Sequence, residues 1–66
     1  MRLVINGETR EAPPLATLAE LADWLELPAF GSAVELNGRV VRRAEYTGQV
    51  LQEEDRLEIV RLVGGG

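Results

Sequence analysis

The whole fold must be built from 66 residues without a single cysteine. A chain of this length holds one domain and buries only about 60% of the surface that its unfolded form exposes. Because neither a disulfide nor a zinc-thiolate site is possible, the domain depends on a compact hydrophobic core. Hydrophobic residues make up 45% of the sequence, which fits such a core. We therefore expect one small globular domain with no room for a deep substrate cleft.

The residue types that usually carry catalysis are scarce. The absence of histidine removes the common general base and the common imidazole metal ligand. The hydroxyl groups therefore have no histidine to activate them, and a working pair of carboxylates needs a walled cleft. We expect no metal site, no bound cofactor and no enzymatic activity of the chain itself.

The net charge of −4 disfavours nucleic acid as a partner and favours a protein with a basic docking surface. No apolar run approaches the roughly 20 residues of a membrane helix. The start of the sequence lacks a basic n-region and a small-residue cleavage site, so we expect no signal peptide. The expectation is a cytoplasmic protein with no membrane partner. All seven basic residues are arginines. Compositional bias is the favoured explanation, and the alternative is that the chain offers no side-chain amine to an activated acyl group.

Alternating apolar residues and turn signals predict the element order β-β-α-β-β-β. The pairs Asn6-Gly7 and Asn37-Gly38 favour two-residue hairpin turns. Thr17 and Glu20 form a capping-box pattern that opens a helix with apolar residues at helical spacing. The predicted strands are 2–6, 8–12, 33–36, 39–41 and 57–63, with a single helical turn at 44–46.

This order predicts an α+β fold, in which one helix packs across a mixed sheet with the first and last strands near its centre. Trp24 is expected to cover the edge of the core, and the pair Val50-Leu51 to touch it. Shared-face periodicity predicts a core of ten residues: Leu3, Ile5, Leu18, Leu21, Leu25, Val34, Leu36, Leu51, Leu57 and Ile59. The same alternation places Val4, Val60 and Leu62 in an apolar stripe on the opposite face.

Three glycines, Gly64, Gly65 and Gly66, follow the last strand. They are interpreted either as a frayed terminus or expression scar, or as a tail that enters the active site of another protein fully extended. Glycine suits the second role because no Cβ blocks approach to the terminal carbonyl. We expect a single domain over residues 1–63 and a flexible tail over 64–66.

The chain resembles the ThiS family of sulfur carrier proteins of thiamine biosynthesis, which have the ubiquitin-like β-grasp fold. The resemblance rests on the Asn6-Gly7 hairpin, the helix that opens at Thr17, and the glycine end. The most specific part is the segment Leu36-Asn37-Gly38-Arg39-Val40-Val41. The sequence departs from the family pattern at Arg42, where proline is usual, and at Tyr46, where tryptophan is common.

The resemblance implies that a ThiF-like partner enzyme uses ATP and magnesium to adenylate the carboxylate of Gly66. A sulfur donor system then converts it to a thiocarboxylate, which supplies sulfur to a ThiG-like thiazole synthase. The stripe of Val4, Val60 and Leu62 is the expected interface with the adenylating enzyme. Alternatives are a sulfur carrier for molybdopterin or tRNA thiolation, a protein modifier, and a ubiquitin-like binding module whose tail is never activated.

Overall fold

The computed structural model describes residues 1–28 and 30–61. Five strands, one α-helix and one 3-10 helix account for most of this part of the chain. In chain order the elements are β1 (Arg2–Ile5), β2 (Glu8–Glu11), α1 (Leu18–Trp24), β3 (Ser32–Leu36), β4 (Arg39–Val41), the 3-10 helix Arg43–Gly48, and β5 (Arg56–Arg61). The predicted element order is confirmed.

Both asparagine-glycine pairs make the expected hairpin turns. Asn6 and Gly7 have φ angles of 50° and 81°, and Asn37 and Gly38 have 52° and 86°. Positive φ at both central residues is the geometry whose twist matches that of the flanking strands. The turns therefore fix the registers of β1 with β2 and of β3 with β4.

The strands form one mixed sheet in the order β2-β1-β5-β3-β4. The last strand, β5, lies in the middle, parallel to β1 and antiparallel to β3. Both edges of β5 are therefore paired, while only one of its faces, the one that carries Leu57, meets the core. The central placement of the first and last strands confirms the prediction made from their composition.

α1 begins after Thr17, whose Oγ1 accepts a hydrogen bond from the backbone N–H of Glu20 at 3.4 Å. The Glu20 carboxylate accepts in return from the N–H of Ala16 at 3.1 Å, so the reciprocal bond falls one residue before the expected one. The helix has only seven residues and buries Leu18, Leu21 and Ala22. No helix in the described ranges is long and apolar enough to span a membrane.

The core lies between α1 and one face of the sheet, and eight of the ten predicted core residues are fully buried in it. Leu25 and Ile59 are only half-buried, because α1 ends before it covers them. Trp24 packs at the edge of the core as expected. Leu51 is buried, but Val50 is exposed, so only half of that prediction holds. Four further core residues are not among the predicted ten: Ala12, Ala22, Val41 and Tyr46.

Element boundaries differ from the predictions by a few residues. The predicted single turn at 44–46 is a longer 3-10 helix, whose Tyr46 is buried against α1. The last strand begins at Arg56 rather than Leu57 and is described as far as Arg61. Residues 62–66 lie outside the described part, so the division into a domain over 1–63 and a tail over 64–66 stays a prediction.

Candidate functional site

The last strand, β5, which precedes the C-terminal glycines in the sequence, lies in the middle of the sheet. Arg61 is the last described residue of β5 and lies opposite Ser32, the first residue of β3. Gly64, Gly65 and Gly66, expected to form the working tail, follow five residues or fewer after Arg61 and lie outside the described residues. What the structure establishes is the position and support of the strand that leads to them.

β5 is held along β1 by main-chain hydrogen bonds and by one side chain that continues their pattern. The N–H of Val4 donates to the carbonyl of Asp55, and that of Asn6 donates to the carbonyl of Leu57. The next step is made by the Asn6 side chain. Its Oδ1 accepts from the N–H of Ile59 at 2.7 Å, and its Nδ2 donates to the Ile59 carbonyl at 3.3 Å. Asn6 therefore serves both the hairpin turn and the strand that carries the tail.

Asn37, in the second hairpin turn, holds the beginning of β5. Its Oδ1 accepts from the N–H of Arg56 at 3.0 Å, and its Nδ2 donates to Asp55 Oδ1 at 3.0 Å. The other carboxylate oxygen of Asp55 accepts from the N–H of Gln52 at 2.8 Å and closes the preceding turn. The two turn asparagines thus fix β5 near both of its ends.

The predicted apolar stripe is only partly formed. Val4 and Val60 share the sheet face opposite α1, as the alternation predicts. However, the parallel register sets Val4 beside Arg56, four residues before Val60 on β5. At about 3.3 Å per residue the two valines lie roughly 13 Å apart along the strand. Val4 and Val60 are therefore not neighbours, and Leu62 is outside the described residues.

We use the name open-face patch for the surface that Val60 forms on this face with Ala33, Glu35, Val40 and Glu58. Val60 lies opposite Ala33, and one row away Glu58 lies opposite Glu35, which is flanked by Val40 on β4. Val60 is 50% exposed and Val40 is 62% exposed. Like charges directly opposite each other weaken a sheet. The pair Glu35 and Glu58 therefore gives the patch a negative centre that a basic residue of a partner would neutralise.

An exposed aromatic residue stands near the point where the chain leaves β5. Phe30 is 90% exposed and precedes Ser32, the residue opposite Arg61, by two positions. Aromatic residues are enriched at protein interfaces. Phe30 and Val40 were not among the candidate interface residues. The run Arg39-Val40-Val41 shows that its two valines face opposite ways, but only the structure shows that Val41 is the buried one and Val40 the exposed one.

The side chains of the described residues form no recognisable metal site. They hold no cluster of three or more aspartate, glutamate, histidine or cysteine residues that would bind a metal ion. No buried side-chain polar atom among them lacks a hydrogen-bond partner.

Comparison with known proteins gives a consistent result. A sequence model of the ThiS family matches residues 3–66. The chain is 41% identical to a thiazole synthase of Magnetococcus marinus over 66 residues, all of this chain and 20% of that protein. It thus spans about a fifth of the length of that relative. It is 23% identical to the sulfur carrier protein ThiS of Escherichia coli strain K12, with both chains covered completely.

The fold agrees with that of a solved structure. The crystal structure of the thiamine biosynthesis protein ThiS from Geobacter metallireducens superposes with a TM-score of 0.83. The two chains are 29% identical, and each is covered in full. The ubiquitin-like fold predicted from the sequence, a mixed sheet with one helix packed across it, is confirmed.

Proposed function

Because this chain belongs to the ThiS family, we propose that it is a sulfur carrier protein of thiamine biosynthesis whose working group is the carboxylate of Gly66. The observation that carries the proposal is the match of residues 3–66 to the family, which runs through the terminal glycines. The central position of β5 supports it, since the strand that leads to the tail is held on both sides.

The proposed chemistry takes place in the site of a partner. A carboxylate oxygen of Gly66 attacks the α-phosphorus of ATP, and pyrophosphate leaves with magnesium as its counterion. A hydrosulfide ion delivered by a donor system then attacks the acyl carbon, the carbon–oxygen bond to AMP breaks, and AMP leaves; the sulfur loses its proton. The product is a C-terminal thiocarboxylate. The chain supplies an accessible carboxylate and no competing thiol, while the partner supplies the groups that stabilise the developing charges.

The proposed partners are a ThiF-like adenylating enzyme and a ThiG-like thiazole synthase, acting in the cytoplasm. The second is supported by a relative named thiazole synthase, one fifth of which matches this whole chain. We assign the docking of the adenylating enzyme to the open sheet face, through Val60 and Leu62. The register makes Val40 a better third member of this surface than Val4.

The test is ATP-pyrophosphate exchange with the cognate adenylating enzyme. The parent protein is expected to support exchange, whereas a variant with one alanine added after Gly66, or with an amidated terminus, is not. Gly65→Val is also expected to fail, because a β-branched side chain crowds the approach to the reacting carbonyl. Gly48→Ala is the matched control, since a Cβ at Gly48 meets nothing within 4 Å.

Melting temperatures of all variants should equal that of the parent, because none of the changes removes an apolar side chain. Intact mass after incubation with ATP and a sulfur donor should rise by the difference between sulfur and oxygen. Exchange by the amidated or extended protein would show that Gly66 is not the reactive group. The chain would then be a ubiquitin-like binding module.

A further inference from the structure

A groove opens on the helix side of the sheet, at the end of the molecule where α1 stops. Its floor is aliphatic and combines Ile5 of β1 and Ile59 of β5 with Leu25 and Leu27 from the segment after α1. The groove has a volume of about 350 Å³. It exists because a seven-residue helix is too short to cover the ends of β1 and β5. The half-buried state of Leu25 and Ile59 has the same cause.

Two arginines flank this floor. Arg10 lies on β2 opposite Leu3, and its guanidinium carbon is 5.2 Å from the centre of the Trp24 ring. This cation–π contact holds the charge over the end of α1. Arg61 lines the groove from β5. Within residues 1–28 and 30–61, both ion pairs involve Arg2. Neither Arg10 nor Arg61 therefore forms an ion pair with an acidic residue in these ranges.

We propose that this groove docks a short extended segment of the adenylating enzyme, with an aliphatic side chain on the floor and carboxylates on Arg10 and Arg61. The inference rests on the proposed function for the identity of the partner. Charge complementarity carries it, because both charged side chains that line the groove are arginines, on a chain of net charge −4. Glu8 on β2 pairs with Ile5 but does not line the groove. Its position agrees, since the five residues after Arg61 span at most about 17 Å, and a protein that holds Gly66 comes close to the groove.

An acidic peptide segment fits the groove better than a nucleotide. Phosphate groups are usually bound at helix N-termini or in glycine-rich loops, whereas the groove lies at the carboxyl end of α1. The face of Trp24 is covered by Arg10 and is not free to stack on a base. Carboxylates form paired hydrogen bonds with guanidinium groups, and aliphatic side chains match the floor.

The first test measures the affinity of the full chain for the adenylating enzyme by calorimetry. Arg10→Gln and Arg61→Gln are each expected to raise Kd about two- to fivefold, the upper part of the range for one exposed charge pair. Arg10→Lys keeps the charge but loses the paired hydrogen bonds, so its Kd should fall between those of the parent and Arg10→Gln. Arg39→Gln, an exposed arginine at the start of β4 outside the groove, is the matched control. Unchanged Kd in both glutamine variants, with unchanged melting temperatures, would overturn the proposal.

The second test does not need the enzyme. Amide NMR shifts are recorded with the capped peptide acetyl-Glu-Ile-Glu-Leu-amide, with its Gln-Ile-Gln-Leu counterpart, and with ATP. The acidic peptide should shift the amides of Ile5, Leu27 and Ile59 most, and this effect should be lost in Arg10→Gln. Equal shifts with the neutral peptide, or shifts with ATP alone, would overturn the proposal. The proposal would also be overturned if removal of residues 62–66 shifted the same amides in the absence of peptide. The chain's own tail would then be the occupant of the groove.

The two tests separate two kinds of failure. If the parent neither binds the adenylating enzyme nor supports exchange, the proposed function fails. The peptide result still decides whether the groove takes an acidic aliphatic segment.

Discussion

Leu57 and Ile59 of β5 face the same side of the sheet but differ in what covers them. Leu57 is 1% exposed beneath α1, whereas Ile59 lies beyond the end of the helix in the groove and is half-buried. We expect Leu57→Ala to lower the free energy of unfolding by about 2–5 kcal/mol. Ile59→Ala should lower the free energy of unfolding by about 1–2 kcal/mol, because the half-buried Ile59 side chain buries less apolar surface than that of Leu57.

Urea unfolding of the two variants beside the parent measures this difference. Glu53→Ala, in an exposed turn, serves as the control for a substitution that removes no core contact. Equal losses in Leu57→Ala and Ile59→Ala would mean that the end of the sheet is covered in solution and that the groove is closed.

The sequence could predict the facing of these residues but not their coverage. Alternation assigns Leu57 and Ile59 to one face, and this assignment is correct. Coverage depends on where α1 ends over the sheet, which is a tertiary property. The burial of Tyr46 was missed for a related reason, since the residue reaches the core from a 3-10 helix without strand or α-helix periodicity. The prediction that Val4 and Val60 are neighbours was wrong, because the face on which a residue lies does not determine the register between two strands.

At the scale of elements, β5 depends on the side chain of Asn6. The Asn6 amide replaces one step of the β1–β5 ladder and also sits at a φ of 50°, which few residues accept. Asn6→Gly keeps the turn and loses the two hydrogen bonds to Ile59, so we expect a loss of about 1–2 kcal/mol in unfolding free energy. Asn6→Ala should cost about 1–2 kcal/mol more, because alanine is strained at positive φ.

Hydrogen exchange shows which end of β5 loses protection when the Asn6 side chain is removed. The Ile59 amide should lose protection in Asn6→Gly, while the Asn37 amide, which donates to the Arg56 carbonyl at the other end of β5, should not. Equal loss at both amides would indicate general destabilisation rather than release of the end that leads to the tail. The hairpin role of Asn6 was readable from its pairing with Gly7, but the contact with Ile59 spans 53 residues and has no local signal.

At the scale of the whole molecule, two different surfaces meet where the chain leaves β5. The open-face patch is apolar with a negative centre at Glu35 and Glu58, and the groove on the other side is apolar with positive flanks at Arg10 and Arg61. A partner that draws in the tail meets both. The opposite charges of the two surfaces give such a partner one favourable orientation, since a reversed one would bring like charges together.

Val40 and Val60 belong to the open-face patch, whereas Val4 lies on the same face of the sheet but outside the patch. Val40→Ser and Val60→Ser should each weaken binding of the adenylating enzyme about fivefold, as expected for losing roughly 1 kcal/mol of apolar contact. Val4→Ser is the matched control, because the register places Val4 beside Arg56 and away from Val60. Calorimetry gives the affinities, and urea unfolding should show losses of no more than about 1 kcal/mol for the two exposed valines. A larger effect from Val4→Ser than from Val60→Ser would move the docking surface to the β1–β2 side of the sheet. The partner would then approach the tail from across β1 rather than across β3, and Val40 would have no part in binding.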